Sequence, residues 1–367
     1  MAVIEVGELF TPTGIVENAK LVLPSFKKSL WFESGVFPGF VDAHAHPHVI
    51  DAGLNGGPWK NYVEWLSSRK LRIDEGALRE DLNACTRLSK LTLMLSALQG
   101  TTLISLTGNF KANTRAVTEL KKRPRVVATP TIIDKQGWEP FERILPILRY
   151  IETLDTNETF RLGIFCHSLK FTRRKHIVKS YKLAENNGLI FALHLSEGVK
   201  ELQKLTKTLK LPGKTKIIGV HCTEREDYKS KGVHVVQCLS SNLALYGKTQ
   251  RNLGLIECFG SDWPLIFGGI LTEIKKALSV HGKRKLLEII RKTTVNGYKL
   301  YNVNYSGDYV FFGAPLKKTI QYKIKPLYVL IRGEIVVAER MLNGFSYDDI
   351  LKIIKEYKSF LLEKYKI

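Results

Sequence analysis

The stretch GVFPGFVDAHAHPH, residues 35–48, places three of the chain's nine histidines within five positions, directly after an apolar run. Side chains alternate along a β-strand, so His44 and His46, two positions apart, face the same side and can bind one ion together. His48 follows Pro47, which favours a loop position for it over a ligand role. His176, His234 and His281 lie in helical or strand-start positions and are expected at the surface. The stretch therefore predicts a strand, VFPGFVDA (36–43), that is followed by a pair of metal-binding histidines.

Seven further strand-like runs follow, and helical patterns with apolar residues at three-to-four spacing separate them. The runs are TTLISLT (101–107), RVVATPTII (125–133), RLGIFCH (161–167), LIFALHL (189–195), TKIIGVHC (215–222), VHVVQCL (233–239) and GLIECFGSD (254–262). Eight strands that alternate with helices are typical of an α/β protein with a parallel sheet. Residues 35–304 are therefore predicted to form a (β/α)8 TIM barrel.

The two flanks of the barrel have a different pattern. Residues 1–34 and 305–340 contain short strand candidates, which predict one small composite β-sandwich domain. Residues 341–367 begin a helix with a capping-box pattern from Ser346 to Asp349. An apolar stripe along this segment predicts a C-terminal docking helix, and its members are Ile350, Ile353, Ile354, Tyr357 and Leu361.

Composition limits the class of protein. Hydrophobic residues make up 44% and charged residues 25%, which suits a globular enzyme-sized chain and argues against disorder. No apolar run reaches the roughly 20 residues of a membrane span, and the N-terminus lacks a signal-peptide pattern, so a cytoplasmic location without membrane partners is expected. The five cysteines form no CxxC pair, which favours buried thiols over disulfides or a cysteine zinc site.

The net charge of +21 raises the question of a polyanionic partner. The lysines are scattered over helix-like stretches and show none of the motifs of nucleic-acid-binding modules. A solvated basic surface is therefore favoured over a nucleic-acid site. Oligomeric state is left open, and a homo-oligomer is compatible with the sequence.

Polar residues close several of the predicted strands. Besides His44 and His46, His194 ends LIFALH, His221 ends TKIIGVH, and Asp262 ends GLIECFGSD. Active sites of (β/α)8 enzymes lie at the C-terminal ends of the strands, where these side chains converge. Imidazole and carboxylate ligands suit a divalent ion such as zinc, with iron as the alternative.

Several segments together resemble a known family. PGFVDAHAHPH, FALHLSEG, IGVHC, VQCLSSNLAL, FGSDWPL and TTVNGYKLY are similar, in order and spacing, to the amidohydrolase superfamily, and in particular to its branch of chlorohydrolases and deaminases. The likeness covers residues 36–302, and VLIRGEIVVA resembles the strand that completes the small β-sandwich of these proteins. HxH alone is a weak signal, whereas the ordered set is specific.

The resemblance implies residue roles. His44, His46, His194 and Asp262 would bind one divalent metal, whose water becomes a hydroxide that attacks an sp2 carbon. Asp262 would take the water proton and pass it to the leaving group, and His221 would orient the hydroxide and stabilise the tetrahedral intermediate. Glu197, in the branch's HxxE motif, would protonate the ring nitrogen beside the attacked carbon. A surface or capping glutamate remains its alternative.

The resemblance also bears on metal number and substrate contacts. Binuclear members use a carboxylated lysine after strand four, which would be Lys170, but HxxE favours the one-metal branch. His167 matches a substrate-facing histidine, although the Pro-Tyr that follows it in the family is absent. Trp59 either stacks on a planar substrate ring or packs a helix. Trp263 stands beside Asp262, where the branch often has GTDS, and would reshape the pocket.

The sequence is compatible with three functions for the whole chain. The favoured one is a metal-dependent hydrolase that deaminates an amino-substituted purine, pyrimidine or triazine, with a small molecule as its substrate. The second is a cyclic amide hydrolase of the imidazolonepropionase or dihydroorotase type, from which ammonia release separates the first. The third is a basic nucleic-acid-binding protein with an inactive barrel, which predicts salt-sensitive polyanion binding and no effect of Asp262→Ala.

Overall fold

The computed structural model describes residues 2–23, 30–135, 138, 141–152, 160–213, 215–315, 318–319 and 324–367. In these residues, parallel strands follow one another around a nearly closed barrel in the order β4-β5-β6-β8-β9-β10-β11-β12, and β7 also pairs with β8. A parallel bridge between Ala45 and Asp262 joins β12 to β4. The barrel strands are β4 (Phe40–Ala45), β5 (Thr101–Leu106), β6 (Arg125–Ala128), β7 (Thr131–Ile132), β8 (Phe160–Cys166), β9 (Ile190–Leu195), β10 (Ile217–His221), β11 (Val233–Gln237) and β12 (Ile256–Phe259).

The predicted barrel is confirmed, with two differences in detail. The third predicted strand is divided into β6 and β7, with Pro130, which has no backbone N–H, between them. The first predicted strand began at Val36, but that residue belongs to another strand, β3 (Leu30–Pro38), and β4 begins only at Phe40. Pro38 cannot donate a ladder hydrogen bond, and the amide of Gly39 donates instead to the carbonyl of Asp308 at 2.9 Å.

Helices surround the barrel. Apolar side chains on the outer face of the strands, such as Ile104 and Phe191, pack against helical residues such as Leu93 and Ile177. The helices are α1 (Tyr62–Ser68), α2 (Glu75–Glu80), α3 (Leu82–Leu98), α4 (Phe110–Glu119), α5 (Ile144–Glu152), α6 (Arg174–Asn187), α7 (Leu202–Leu209), α8 (Leu239–Tyr246), α9 (Pro264–Phe267), α10 (Ile270–His281), α11 (Leu286–Lys292), α12 (Val295–Leu300) and α13 (Tyr347–Lys364). None of the helices in the described ranges is long and apolar enough to cross a membrane.

A second set of side chains fills the inside of the barrel. Val41, Leu103, Phe165 and Val236 belong to this cluster, and the ring of Tyr298 joins it from α12. A packed interior leaves the reactive groups at the strand ends rather than inside a pore.

The flanking strands form a separate sheet. Its order is β15-β14-β13-β3-β1-β2, so strands from both ends of the chain lie side by side, as the sequence predicted. Where a sandwich was expected, these described strands form one sheet. The strands are β1 (Ala2–Thr11), β2 (Gly14–Leu23), β3 (Leu30–Pro38), β13 (Tyr309–Phe311), β14 (Tyr328–Ile331) and β15 (Glu334–Val337). The domain boundaries at 34, 304 and 340 stay predictions.

The C-terminal helix α13 starts at the expected residue. The Ser346 hydroxyl accepts a hydrogen bond from the Asp349 amide, and the Asp349 carboxylate accepts one from the Ser346 amide, which completes a capping box. Ile350, Ile354 and Leu361 are buried in the cluster that also contains α3 side chains. The apolar stripe therefore docks the helix on the barrel surface.

Candidate metal centre

Three imidazoles meet at the mouth of the barrel. The Nε2 atoms of His44 and His46 are 3.0 Å apart, those of His46 and His194 are 3.2 Å apart, and those of His194 and His44 are 3.3 Å apart. A tetrahedral zinc with Zn–N bonds of about 2.0–2.1 Å separates neighbouring nitrogens by about 3.3–3.4 Å. The three ring nitrogens therefore form a face of the size that one zinc ion requires.

Asp262 supplies a carboxylate to the same point. Its Oδ1 is 3.6 Å from Nε2 of His46 and 3.7 Å from Nε2 of His44, and its Oδ2 is buried with no hydrogen-bond partner. A buried carboxylate oxygen without a donor is costly unless a cation faces it. The donor set and the orphaned oxygen both fit a divalent ion.

Backbone pairing between the last and first barrel strands positions these ligands. The amide of Asp262 donates to the carbonyl of His44 at 2.9 Å, and the amide of His46 donates to the carbonyl of Asp262 at 2.5 Å. Gly260 allows this approach, because a Cβ there would lie 2.7 Å from the His44 amide nitrogen. The pairing of β4 with β5 shifts register between Asp42 and Ala45. The strand end is therefore irregular where the chemistry lies.

Strained backbone marks three of these strand ends. His221, Asp262 and Ser196 have φ angles of 73°, 57° and 55°, in the left-handed region that non-glycine residues seldom adopt. Such residues cost about 1–3 kcal/mol each and cluster at functional sites. Left-handed backbone therefore occurs at or just after the ends of β9, β10 and β12.

His221 and Glu197 complete the cluster on its other side. Nε2 of His221 is 3.6 Å from Oε1 of Glu197 and 4.0 Å from Oδ2 of Asp262. The Nδ1–H of His221 donates to Oδ1 of Asn242 at 2.7 Å, which leaves the lone pair of Nε2 facing the centre. The hydroxyl of Tyr246 donates to Oε1 of Glu197 at 2.7 Å.

Burial determines the charge states in the site. It lowers the pKa of His44, His46 and His194 well below the usual value, and the neighbouring imidazoles lower it further, so the rings are neutral and able to bind a metal. Burial raises the pKa of Glu197 to about 7 and that of Asp262 to about 6. A carboxyl that gains and loses a proton near neutral pH is suited to acid–base catalysis.

Comparisons with solved structures identify the same architecture. A zinc-bound adenosine deaminase from Xanthomonas campestris superposes with a TM-score of 0.79 at 15% identity, covering 98% of both chains. Atrazine chlorohydrolase TrzN from Arthrobacter aurescens TC1, complexed with zinc, gives 0.78 at 12% identity, covering 98% of this chain and 100% of that one. Guanine deaminase from C. acetobutylicum, with guanine in its active site, gives 0.73 at 18% identity, covering 91% and 99%.

The chain has the fold of these amidohydrolase-superfamily enzymes. The resemblance expected from the sequence motifs is thereby confirmed at the level of the fold. No protein-family model matches the sequence, and no curated protein matches it by sequence.

His167 lies next to the three-histidine cluster at the barrel mouth. Its ring centroid is 5.0 Å from that of His194 and 5.7 Å from that of Phe171. Burial lowers the pKa of His167 to about 4, and the positive charges of Arg79, Arg69 and Lys135 lower it further. The position agrees with a substrate-facing side chain, which stays a prediction.

Lys170 is exposed, four residues after β8 ends. It does not belong to the groups of described residues that can hold a metal, which all consist of the strand-end histidines, Asp262 and Cys238. The position favours the one-metal interpretation over a carboxylated bridging lysine.

Trp59 and Trp263 are both buried beside the site. They share an aromatic cluster with Tyr62, Trp65 and Tyr246, in which the Trp263 ring lies 5.5 Å from that of Trp65. Their exposed fractions of 7% and 5% favour a packing role, and contact of either residue with substrate stays a prediction.

Two further histidines, His48 and His176, lie outside the three-histidine cluster. His48 lies in a loop as expected, where it accepts from the Asn109 amide at 3.3 Å and bonds to Ser89. His176 was predicted at the surface, and this is wrong: it is buried, with Nδ1 2.7 Å from Asp134 and its ring stacked on Phe141.

The sequence analysis missed three supporting residues. Asn242 and Tyr246, which orient His221 and Glu197, are four positions apart on α8, so they share one helix face. The carboxylate of Asp42 accepts hydrogen bonds from the amide and hydroxyl of Ser261, directly before Asp262. Asp42 and Asn242 lie within quoted motifs and Tyr246 directly follows one, but one-dimensional spacing does not show which side chains meet across strands.

Proposed function

We propose that the chain is a zinc-dependent deaminase of an amino-substituted nitrogenous heterocycle. The observation that carries the proposal is one arrangement: three Nε2 atoms within 3.0–3.3 Å of one another, the Asp262 carboxylate beside them, and a protonatable Glu197 next to His221. The shared fold with the zinc-bound adenosine deaminase and the guanine deaminase supports the same reaction class.

His44, His46, His194 and Asp262 would hold a divalent ion, which would supply water activated near neutral pH. The chain's own residues perform the proton transfers. Asp262, whose buried carboxylate lies beside the three ring nitrogens, would take the proton of the attacking water and pass it to the leaving amine. The lone pair of His221 Nε2 accepts a hydrogen bond and orients the nucleophile.

Glu197 acts on the ring of the substrate. Its carboxyl is buried, and its pKa of about 7 keeps a substantial protonated fraction at neutral pH. A proton given to the ring nitrogen makes the adjacent carbon more electrophilic, which suits attack on an aromatic amine. Opening of a cyclic amide would also need a proton at the departing ring nitrogen, so Glu197 would serve either reaction, and ammonia release is what distinguishes deamination.

The test joins metal analysis to a substrate screen. The purified chain is expected to contain about one zinc per chain and to release ammonia from at least one amino-purine, amino-pyrimidine or amino-triazine. Glu197→Gln should retain zinc and lose about 100- to 10,000-fold in rate. Turnover by the metal-free chain, or hydrolysis of a cyclic amide without ammonia release, would overturn the proposal.

A further inference from the structure

A small cavity adjoins the candidate metal centre. It has a volume of about 50 Å3, and its lining includes His46, His48, Glu75, Arg79, Asn109 and Trp138. His46 belongs to the three-histidine cluster, so a ligand that occupies the cavity also borders the metal centre. The cavity lies beside the loop that follows β4, which contributes His46, His48 and Val49 to its lining.

Arg79 brings a positive charge to this cavity. Glu75 is the acidic residue of the lining, and both its oxygens accept hydrogen bonds from Arg69 at 3.2 and 2.6 Å. The half-buried Arg79 guanidinium forms no ion pair with any described carboxylate. Glu75 and Asp74 attract the guanidinium through space, but neither carboxylate forms a hydrogen bond with it, so its N–H groups are available to an anionic ligand.

Neighbouring residues hold Arg79 in place. Its guanidinium lies over the ring of Trp138, 4.1 Å from the centroid, and its backbone carbonyl accepts a hydrogen bond from Asn109 Nδ2 at 2.9 Å. The Asn109 amide also donates to His48, which fixes that ring in the neutral form. Arg79 is therefore the charged group that the cavity offers to a ligand.

We propose that this cavity is a carboxylate subsite, in which Arg79 binds an acidic group carried by the heterocyclic substrate. The inference rests on the proposed deaminase function and deepens it, since it names the substrate class as an amino-heterocyclic acid. The planar guanidinium matches a carboxylate with two parallel hydrogen bonds.

Size and charge favour a carboxylate over a phosphate. At about 10–15 Å3 for one water-sized group, a cavity of about 50 Å3 holds roughly four such groups, enough for a three-atom carboxylate. A phosphate dianion has three acceptor oxygens, and Arg79 alone supplies one fork of donors.

The experiment uses the zinc-loaded full chain. It measures binding by calorimetry and turnover by ammonia release. Calorimetry measures binding of three matched pairs. Cytosine is compared with cytosine-5-carboxylate, 2-amino-s-triazine is compared with the same ring carrying a carboxylic acid, and cytosine is compared with cytidine 5′-monophosphate. At least one acid should bind ten-fold or more tightly than its neutral partner. Arg79→Gln should reduce this preference by about 10- to 100-fold, and Arg79→Lys should restore part of it because the charge remains.

Arg87→Gln is the matched control. Arg87 also lies over an aromatic ring, that of Tyr357 at 4.2 Å, but it does not line the cavity. This variant should keep the preference for the acid. Equal zinc content in all variants shows that the chain has folded.

The outcomes separate the two proposals. Acids that bind through Arg79 without ammonia release would end the deaminase proposal and leave the subsite. Ammonia release from neutral heterocycles with no preference for acids, or an Arg79→Gln variant that keeps the preference, would overturn the subsite and leave the deaminase. Preference for the nucleotide over both acids would also overturn the carboxylate assignment.

Discussion

The amide of Asp262 donates a hydrogen bond to the carbonyl of His44 at 2.9 Å, so the last barrel strand closes on the first at two candidate metal ligands. The same contact that closes the barrel brings the Asp262 carboxylate to 3.7 Å from the His44 imidazole. The contact that closes the barrel therefore also places two candidate metal ligands next to each other.

Substitution of a ligand should release the metal. His46→Asn and Asp262→Asn each remove one donor from the cluster, and zinc affinity should fall by more than the roughly 100-fold that loss of an outer hydrogen-bond partner costs. Elemental analysis after dialysis measures the effect. The control is His234→Asn, at the opposite end of β11. Equal zinc in all three variants would contradict the assignment.

Tyr246→Phe should shift the pH profile of the reaction. Glu197 donates its proton only below its pKa of about 7, so kcat should fall as pH rises through this value. The Tyr246 hydroxyl stabilises the ionised carboxylate, and its removal raises the pKa of Glu197 and moves the fall in kcat to higher pH.

A matched control for this shift is Tyr365→Phe, whose hydroxyl bonds to Asp81 on the barrel surface. It should leave the profile in place. A basic limb that stays fixed in Tyr246→Phe would show that another group controls the profile.

Asn242→Ala should lower activity without loss of metal. Asn242 holds the Nδ1–H of His221, and without it the ring loses the tautomer that presents Nε2 to the centre. A decrease of about 10- to 100-fold in kcat is expected, as for other residues that orient a site imidazole. Steady-state kinetics and zinc analysis check this, with Asn296→Ala, bonded to the Glu257 carbonyl, as control. Unchanged kcat would argue against a role for His221.

Leu361→Ala should destabilise the chain through α13. Leu361 is fully buried against the barrel, so truncation should lower the free energy of unfolding by about 2–5 kcal/mol. The adjacent Phe360 is 56% exposed, so Phe360→Ala should change the free energy of unfolding by less than about 0.5 kcal/mol. Urea denaturation of both variants makes the comparison, and equal values would mean that α13 is not docked through Leu361.

Local pattern was sufficient for much of the fold. Alternating apolar runs and helical spacing predicted the barrel strands, and the Ser346–Asp349 pattern predicted the start of α13, because both signals depend on neighbours along the chain. The division at Pro130 and the register shift near His44 were not predicted, since they depend on pairing with β8 and β5. His176 was misplaced because burial against Phe141 and Asp134 leaves no local trace.

The sequence by itself determined which side chains end the strands, because strand ends are marked by where apolar runs stop. His44, His46, His194, His221 and Asp262 were found in this way. Only the tertiary structure decided that His44, His46 and His194 present their Nε2 atoms to one point, that Tyr246 bonds to Glu197, and that Arg79 faces a cavity. These contacts join residues distant along the chain, and closure of the barrel brings them together.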